Sequence, residues 1–132
     1  MPNSVSIRSA RRLPRRGRNE NWSETLVFQC QVAKLGKPAS EWRFHSLRRW
    51  RFDLAFTVQK LAIEIDGGSF VNGRHSRGVG VERDCEKYAE AMILGWTVLR
   101  VTPRQVKNGT ALSWIQVLLS QNAAKIAERA SA

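Results

Sequence analysis

The stretch Trp50–Asp66 constrains this chain more than any other. Trp50, Phe52, Leu54 and Phe56 alternate with Arg51, Asp53 and Ala55, and Leu61, Ile63 and Ile65 alternate with Ala62, Glu64 and Asp66. Alternation with period two puts successive side chains on opposite faces of a strand. Strands at 50–56 and 60–66, joined by Thr57–Gln59, form a hairpin. Glu64 and Asp66 then share a face, and pairing of the two strands lets Asp53 face the same side. Carboxylates crowded among bulky apolar neighbours repel one another unless a positive charge sits among them, and acids in central strands are costly without such compensation. Hard divalent cations with oxygen ligands meet that need, magnesium best for phosphate chemistry. The plain alternative is a set of solvated acids on an open sheet face.

The flanking segments supply the rest of an α/β fold. A helix is expected over about 22–35, capped by Asn21 or Ser23 and stopped by Gly36 and Pro38. Glu41–His45 alternates as a strand. Residues 67–80 hold five glycines and read as a binding loop. Residues 81–94 form a helix whose apolar stripe is Cys85, Tyr88, Ala89, Met92 and Ile93. Trp96–Val101 is a buried strand, Thr102–Lys107 a turn or short helix, and a last helix begins near Thr110. This order predicts a mixed sheet with helices on both faces. Cys30 and Cys85 are expected as two buried thiols, and neither spacing nor histidine count makes a zinc site.

Charge points to the partner. Twenty-two Lys and Arg against eleven Asp and Glu give +11, which calls for a polyanion, nucleic acid first. Residues 1–18 carry six arginines and no acid, and read as a disordered basic arm ahead of a single domain at 19–132. Arg11, Arg12, Arg15 and Arg16 of the arm, Arg48, Arg49 and Arg51 before and within the second strand, and Arg74 and Arg77 of the glycine-rich loop are the candidate DNA contacts. The arginines around residues 42–52 interleave with Trp42, Phe44, Trp50 and Phe52, whose rings are expected in the core. No apolar run approaches membrane-spanning length, and the N-terminus lacks the apolar stretch of a secretory signal. The expected location is the cytoplasm of a bacterial or phage-infected cell, with no membrane partner.

Asp53, ten intervening residues, then Glu64-Ile65-Asp66 resembles the PD-(D/E)xK motif of the restriction-endonuclease-like nucleases. Phe52-Asp53 stands for the first half and Glu64–Asp66 for the second. The series EIDGG (64–68), Arg74-His75, RDCEKY (83–88) and GWTVLRVTPRQV (95–106) is similar to the branch holding very-short-patch-repair endonucleases and small phage nucleases. The resemblance spans roughly residues 22–107. It implies a restriction-endonuclease-like mixed β-sheet flanked by helices. It also implies a metal site on Asp53 and Glu64 with Glu24 added from the first helix, a His75 near the scissile phosphate, a phosphate clamp at Arg77 and a basic Lys87. Magnesium is the implied cofactor, with manganese substituting, and the implied products carry a 5′-phosphate and a 3′-hydroxyl.

One motif position departs from the pattern, because Asp66 stands where the family has lysine. Lys87 reaching in from its helix, His75 acting as acid or base, or Asp66 itself orienting water are three ways to fill that role, with Lys87 favoured. The expected activity is phosphodiester hydrolysis on branched, nicked or mismatched DNA, as in a Holliday-junction resolvase or a nicking repair enzyme. A homodimer through the last helix would suit a resolvase, which cuts two strands symmetrically. The alternatives are a non-catalytic DNA-binding protein on a nuclease fold, and a basic RNA- or nucleoid-binding protein whose carboxylates only solubilise it.

Overall fold

The computed structural model describes residues 21–66 and 77–131. Helix α1 (Trp22–Val32) is followed by strands β1 (Ala39–Arg43), β2 (Arg51–Phe56) and β3 (Leu61–Ile65). Helix α2 (Arg77–Ile93) leads into β4 (Thr97–Val101), then the short α3 (Pro103–Lys107) and the long α4 (Thr110–Ser131). The four strands form one sheet in the order β1-β2-β3-β4. β1–β2 and β2–β3 are antiparallel and β3–β4 is parallel. A parallel neighbour needs a crossover, and α2 lies in the connection that supplies it. The chain is therefore a mixed α/β protein.

Local chemistry explains the boundaries. Asn21 caps α1 by accepting from the Glu24 N–H at 3.1 Å. The chain turns out of α1 through Lys34 (φ 64°) and Gly36 (φ 96°). Thr102 and Gln105 form a reciprocal capping box around Pro103 at the start of α3. Gly95 (φ 91°) ends the α2 turn in the left-handed region, where a side chain is strained.

Two apolar layers sandwich the sheet. Leu54, Phe56, Leu61, Ile63 and Val101 pack with Leu26 and Cys30 of α1, Val106 of α3, and Ala111, Ile115 and Leu119 of α4. On the other side Phe52, Ala55 and Ala62 pack with Ala91 of α2 and with Trp96. Phe52 stacks on Phe44 with ring centroids 4.1 Å apart. Leu54 is fully buried, so Leu54→Ala should lower stability by roughly 2–5 kcal/mol, as large-to-small core changes do. Chemical denaturation measures this directly.

Four expectations need correction. Phe52 does not share a face with Leu54 and Phe56, since it packs on the α2 side with Ala55. The break falls at Asp53. Opposite it on β1 lies Glu41, between the paired positions Ser40–Leu54 and Trp42–Phe52, and Glu41 has φ 49°. A left-handed residue inside a strand marks a local irregularity rather than a regular pleat. Second, the Trp42 ring is exposed rather than in the core, because β1 is an edge strand. Third, the helix expected at 81–94 begins four residues earlier, at Arg77. Of its expected stripe only Tyr88 is half-buried, because Cys85, Ala89, Met92 and Ile93 are exposed, while Ala91 is fully buried. Fourth, only Cys30 is a buried thiol, its pKa pushed up to about 11 by burial, and Cys85 is exposed.

Candidate functional site

The β2–β3 ladder runs through Phe56–Leu61, Ala55–Ala62 and Leu54–Ile63. One step further puts Asp53 opposite Glu64, and there the side chains replace main-chain acceptors. The Asp53 N–H donates to Glu64 Oε2 at 3.2 Å, and the Ile65 N–H donates to Asp53 Oδ2 at 2.7 Å. Each carboxylate thus reaches across to the other strand. This reciprocal exchange fixes both acids without help from a loop.

Helix α2 covers the pair. Lys87 Nζ lies 3.2 Å from Glu64 Oε1, with the two side chains only 15% and 14% exposed. The Tyr88 hydroxyl donates to the same Oε1 at 3.4 Å. Burial raises the Glu64 carboxyl pKa, the Lys87 ammonium opposes that shift, and the Asp53 charge adds to it. Burial, with the Glu64 charge second, pushes the Tyr88 phenol well above its ordinary range, so it stays a protonated donor. These are the residue types a helix needs when its inner face meets charge rather than apolar surface.

On the other side of β3, Arg100 of β4 pairs in register with Glu64. Its Nη2 lies 2.7 Å from Asp66 Oδ2, and its guanidinium carbon sits 5.2 Å from the centre of the Tyr88 ring. The hydrogen bond to Asp66 raises the Arg100 pKa further. Asp53, Glu64 and Asp66 therefore face Lys87 and Arg100, three negative charges against two positive ones.

The structure brings together Asp53, Glu64, Asp66 and Lys87 of the expected site. Glu24 is an exposed residue on the first turn of α1, and among the described residues no three His, Cys, Asp or Glu side chains gather as metal ligands. His75, Arg74 and the arm residues Arg11, Arg12, Arg15 and Arg16 lie outside the described residues, and Arg77 opens α2. Arg48 lies 3.5 Å from Glu86 and stacks over Trp50 at 4.0 Å. Arg51 lies 3.6 Å from Glu41, and Arg49 is exposed. The loop between β1 and β2 is fastened to α2 through His45. Its Nε2 lies 3.1 Å from Glu90 Oε1, and its Nδ1 accepts from the Leu47 and Arg48 N–H groups. Exposed ion pairs of this kind are weak, so Arg48 and Arg51 remain able to exchange an acid for a phosphate.

Sequence reasoning misses Tyr88 and Arg100 as members of the site. Tyr88 reads as part of an apolar stripe, and its place next to Lys87 is the one signal available. Arg100 shows no local signal, because only the parallel register sets it beside Glu64.

Two carboxylates are the usual protein share for magnesium, which keeps several waters and takes further oxygens from phosphate. Asp53 and Glu64 supply those two, and the excess negative charge around them favours an added cation. The donor set therefore fits the metal that the motif implies. No protein-family model, curated protein or solved structure matches the chain.

Proposed function

We propose that this chain is a metal-dependent DNA endonuclease on a restriction-endonuclease-like core. The observation that carries the reading is Lys87 at 3.2 Å from Glu64, beside Asp53. It returns from a helix the acid, acid and lysine combination that the sequence motif lacks at Asp66.

Asp53 and Glu64 would hold the magnesium. Bound there, the ion supplies charge neutralisation at phosphate and a more acidic water. Tyr88 and the Asp53 N–H orient the Glu64 carboxylate. Lys87 places a fixed positive charge where negative charge accumulates on phosphate oxygens, in a site with little solvent to screen it. Arg100 holds Asp66 turned toward β4. The +11 chain and the fastened loop carrying Arg48 and Arg49 attract the DNA backbone.

A second reading draws on the same contact. If Lys87 permanently neutralises Glu64, the site takes no cation and the chain is a DNA-binding protein only. Incubation with linear, nicked, flapped, mismatched and four-way-junction DNA, with and without magnesium, separates the two. Cleavage of at least one branched or interrupted substrate, absent in EDTA and restored by magnesium or manganese, is expected. Binding without cleavage of any substrate in either metal would leave the non-catalytic reading.

A further inference from the structure

A cleft of about 430 Å³ opens beside the carboxylates, between α2 and β4, lined by Tyr88, Met92, Trp96, Thr97, Val98 and Arg100. Its volume suits a small planar ligand, for which sites of about 300–1,000 Å³ are usual. We propose that it receives the base of an unpaired nucleotide neighbouring the phosphate held at Asp53 and Glu64. This inference rests on the nuclease reading and adds the class of substrate.

Three observations converge on a base. Tyr88 joins the two places, its ring in the cleft wall and its hydroxyl 3.4 Å from Glu64. Half-buried Tyr88 gives the cleft an aromatic wall, the kind of surface on which unpaired bases stack, and the largely buried Trp96 closes it on the core side. Arg100 sits at the wall with its guanidinium beside the Tyr88 ring and its Nη2 held by Asp66, a fixed planar cation at the rim against which a base can also lie.

The edge of the sheet adds polar recognition. The Thr97 N–H donates to the Lys60 carbonyl at 3.0 Å, and the Val101 carbonyl accepts from the Asp66 N–H at 2.7 Å. Positions 97, 99 and 101 therefore turn their main-chain groups to β3. Val98 and Arg100 turn theirs to the outer edge, which has no neighbouring strand among the described residues. An apolar cleft edged by a few main-chain donors and acceptors is the composition that holds a base by its rim and its face. A base inside a duplex cannot enter, because its faces are already stacked. An unpaired one can.

The test uses the full chain and two 20-base-pair duplexes that differ at one bulged position. One carries thymidine there and the other an abasic tetrahydrofuran. Without divalent metal, affinity for the thymidine bulge should be about tenfold tighter, the scale of one base stack on an aromatic side chain. Replacing the thymidine with 5-iododeoxyuridine and irradiating should give an adduct on Tyr88 or Trp96, located by mass spectrometry. Equal affinities, or an adduct confined to other residues, would overturn the proposal. So would an unrelated extended peptide that occupies the cleft along β4 while the affinity for the thymidine bulge stays unchanged. Cleavage in magnesium is read in parallel. Equal cutting of bulged and abasic DNA with equal affinities sinks the base site and keeps the nuclease. Tighter binding of the thymidine bulge with no cutting sinks the nuclease and keeps the base site.

Discussion

Asp53→Asn is expected to lower magnesium-dependent cleavage by on the order of 10²–10³-fold or more, the scale seen when a preorganised charge-stabilising group is removed from an active site. The fold should survive the change. The introduced carboxamide keeps a carbonyl oxygen in the place of Oδ2, so the Ile65 N–H retains its acceptor. The main-chain N–H of residue 53 still donates to Glu64. What disappears is one formal charge, and the site goes from three acids against two cations to two against two. A cation then gains little by entering, and the phosphate meets less repulsion. DNA affinity should accordingly hold or tighten while cleavage is lost. Single-turnover cleavage at saturating protein, read beside a mobility-shift titration, separates these effects. A variant that cuts at the parent rate would remove Asp53 from the chemistry. One that neither binds nor folds would show that its role is structural.

The hairpin and its two acids are legible in the sequence because strand periodicity needs only adjacent residues. Counting alone places Asp53 and Glu64 on one level, and the structure pairs them through their own side chains. The mixed sheet and the helices on both faces follow from the order of apolar segments. The inner face of α2 is not legible in the same way. Apolar periodicity assumes that a helix buries its oily side, and so selects Cys85, Tyr88, Ala89, Met92 and Ile93, of which only Tyr88 turns inward. This helix instead lies over partly buried carboxylates, and turns Lys87 inward beside Tyr88 and Ala91. The electrostatic need of the sheet beneath it outweighs the hydrophobic count. Phe52 escapes the pattern for a related reason. Alternation is a rule of regular pleats, and the pleat breaks at Asp53 opposite the left-handed Glu41. Irregular backbone and misplaced polarity both gather at the level of the candidate site, where local rules are expected to yield.

Lys87→Met should shift the acid limb of the cleavage pH profile to higher pH and lower the plateau rate by on the order of 10²-fold. Methionine keeps much of the aliphatic stem and removes the ammonium, which lies 5.8 Å and 5.4 Å from the centres of the Phe52 and Tyr88 rings. In the parent, burial raises the Glu64 pKa above 4.5, with the Asp53 charge adding to it; Lys87 is the main opposing group, and the Asp53 N–H hydrogen bond opposes it more weakly. Without Lys87 the two upward influences are opposed only by the Asp53 N–H hydrogen bond, the smallest of the effects on this carboxyl. Ionised Glu64 is needed to hold a cation, so its higher pKa delays activity to higher pH. Stability follows the same sign. A carboxyl whose folded pKa is raised contributes stability in full below its unfolded pKa, and loses it as pH rises through the folded value. Without metal, the Glu64 contribution to parent stability should therefore fall as pH rises from 4.5 through its folded value, and the difference between parent and Lys87→Met melts should show that fall extending to higher pH in the variant. Magnesium should reverse the loss in both proteins, since it binds the ionised form. Lys87→Arg, which keeps a cation, should recover the acid limb more fully than the plateau, because its fork is shaped differently from a point charge. Thermal melts and single-turnover rates over one pH series decide the matter. An unmoved acid limb in Lys87→Met, together with an unchanged plateau, would mean that the ammonium serves the fold alone and that the missing motif lysine has no replacement on α2.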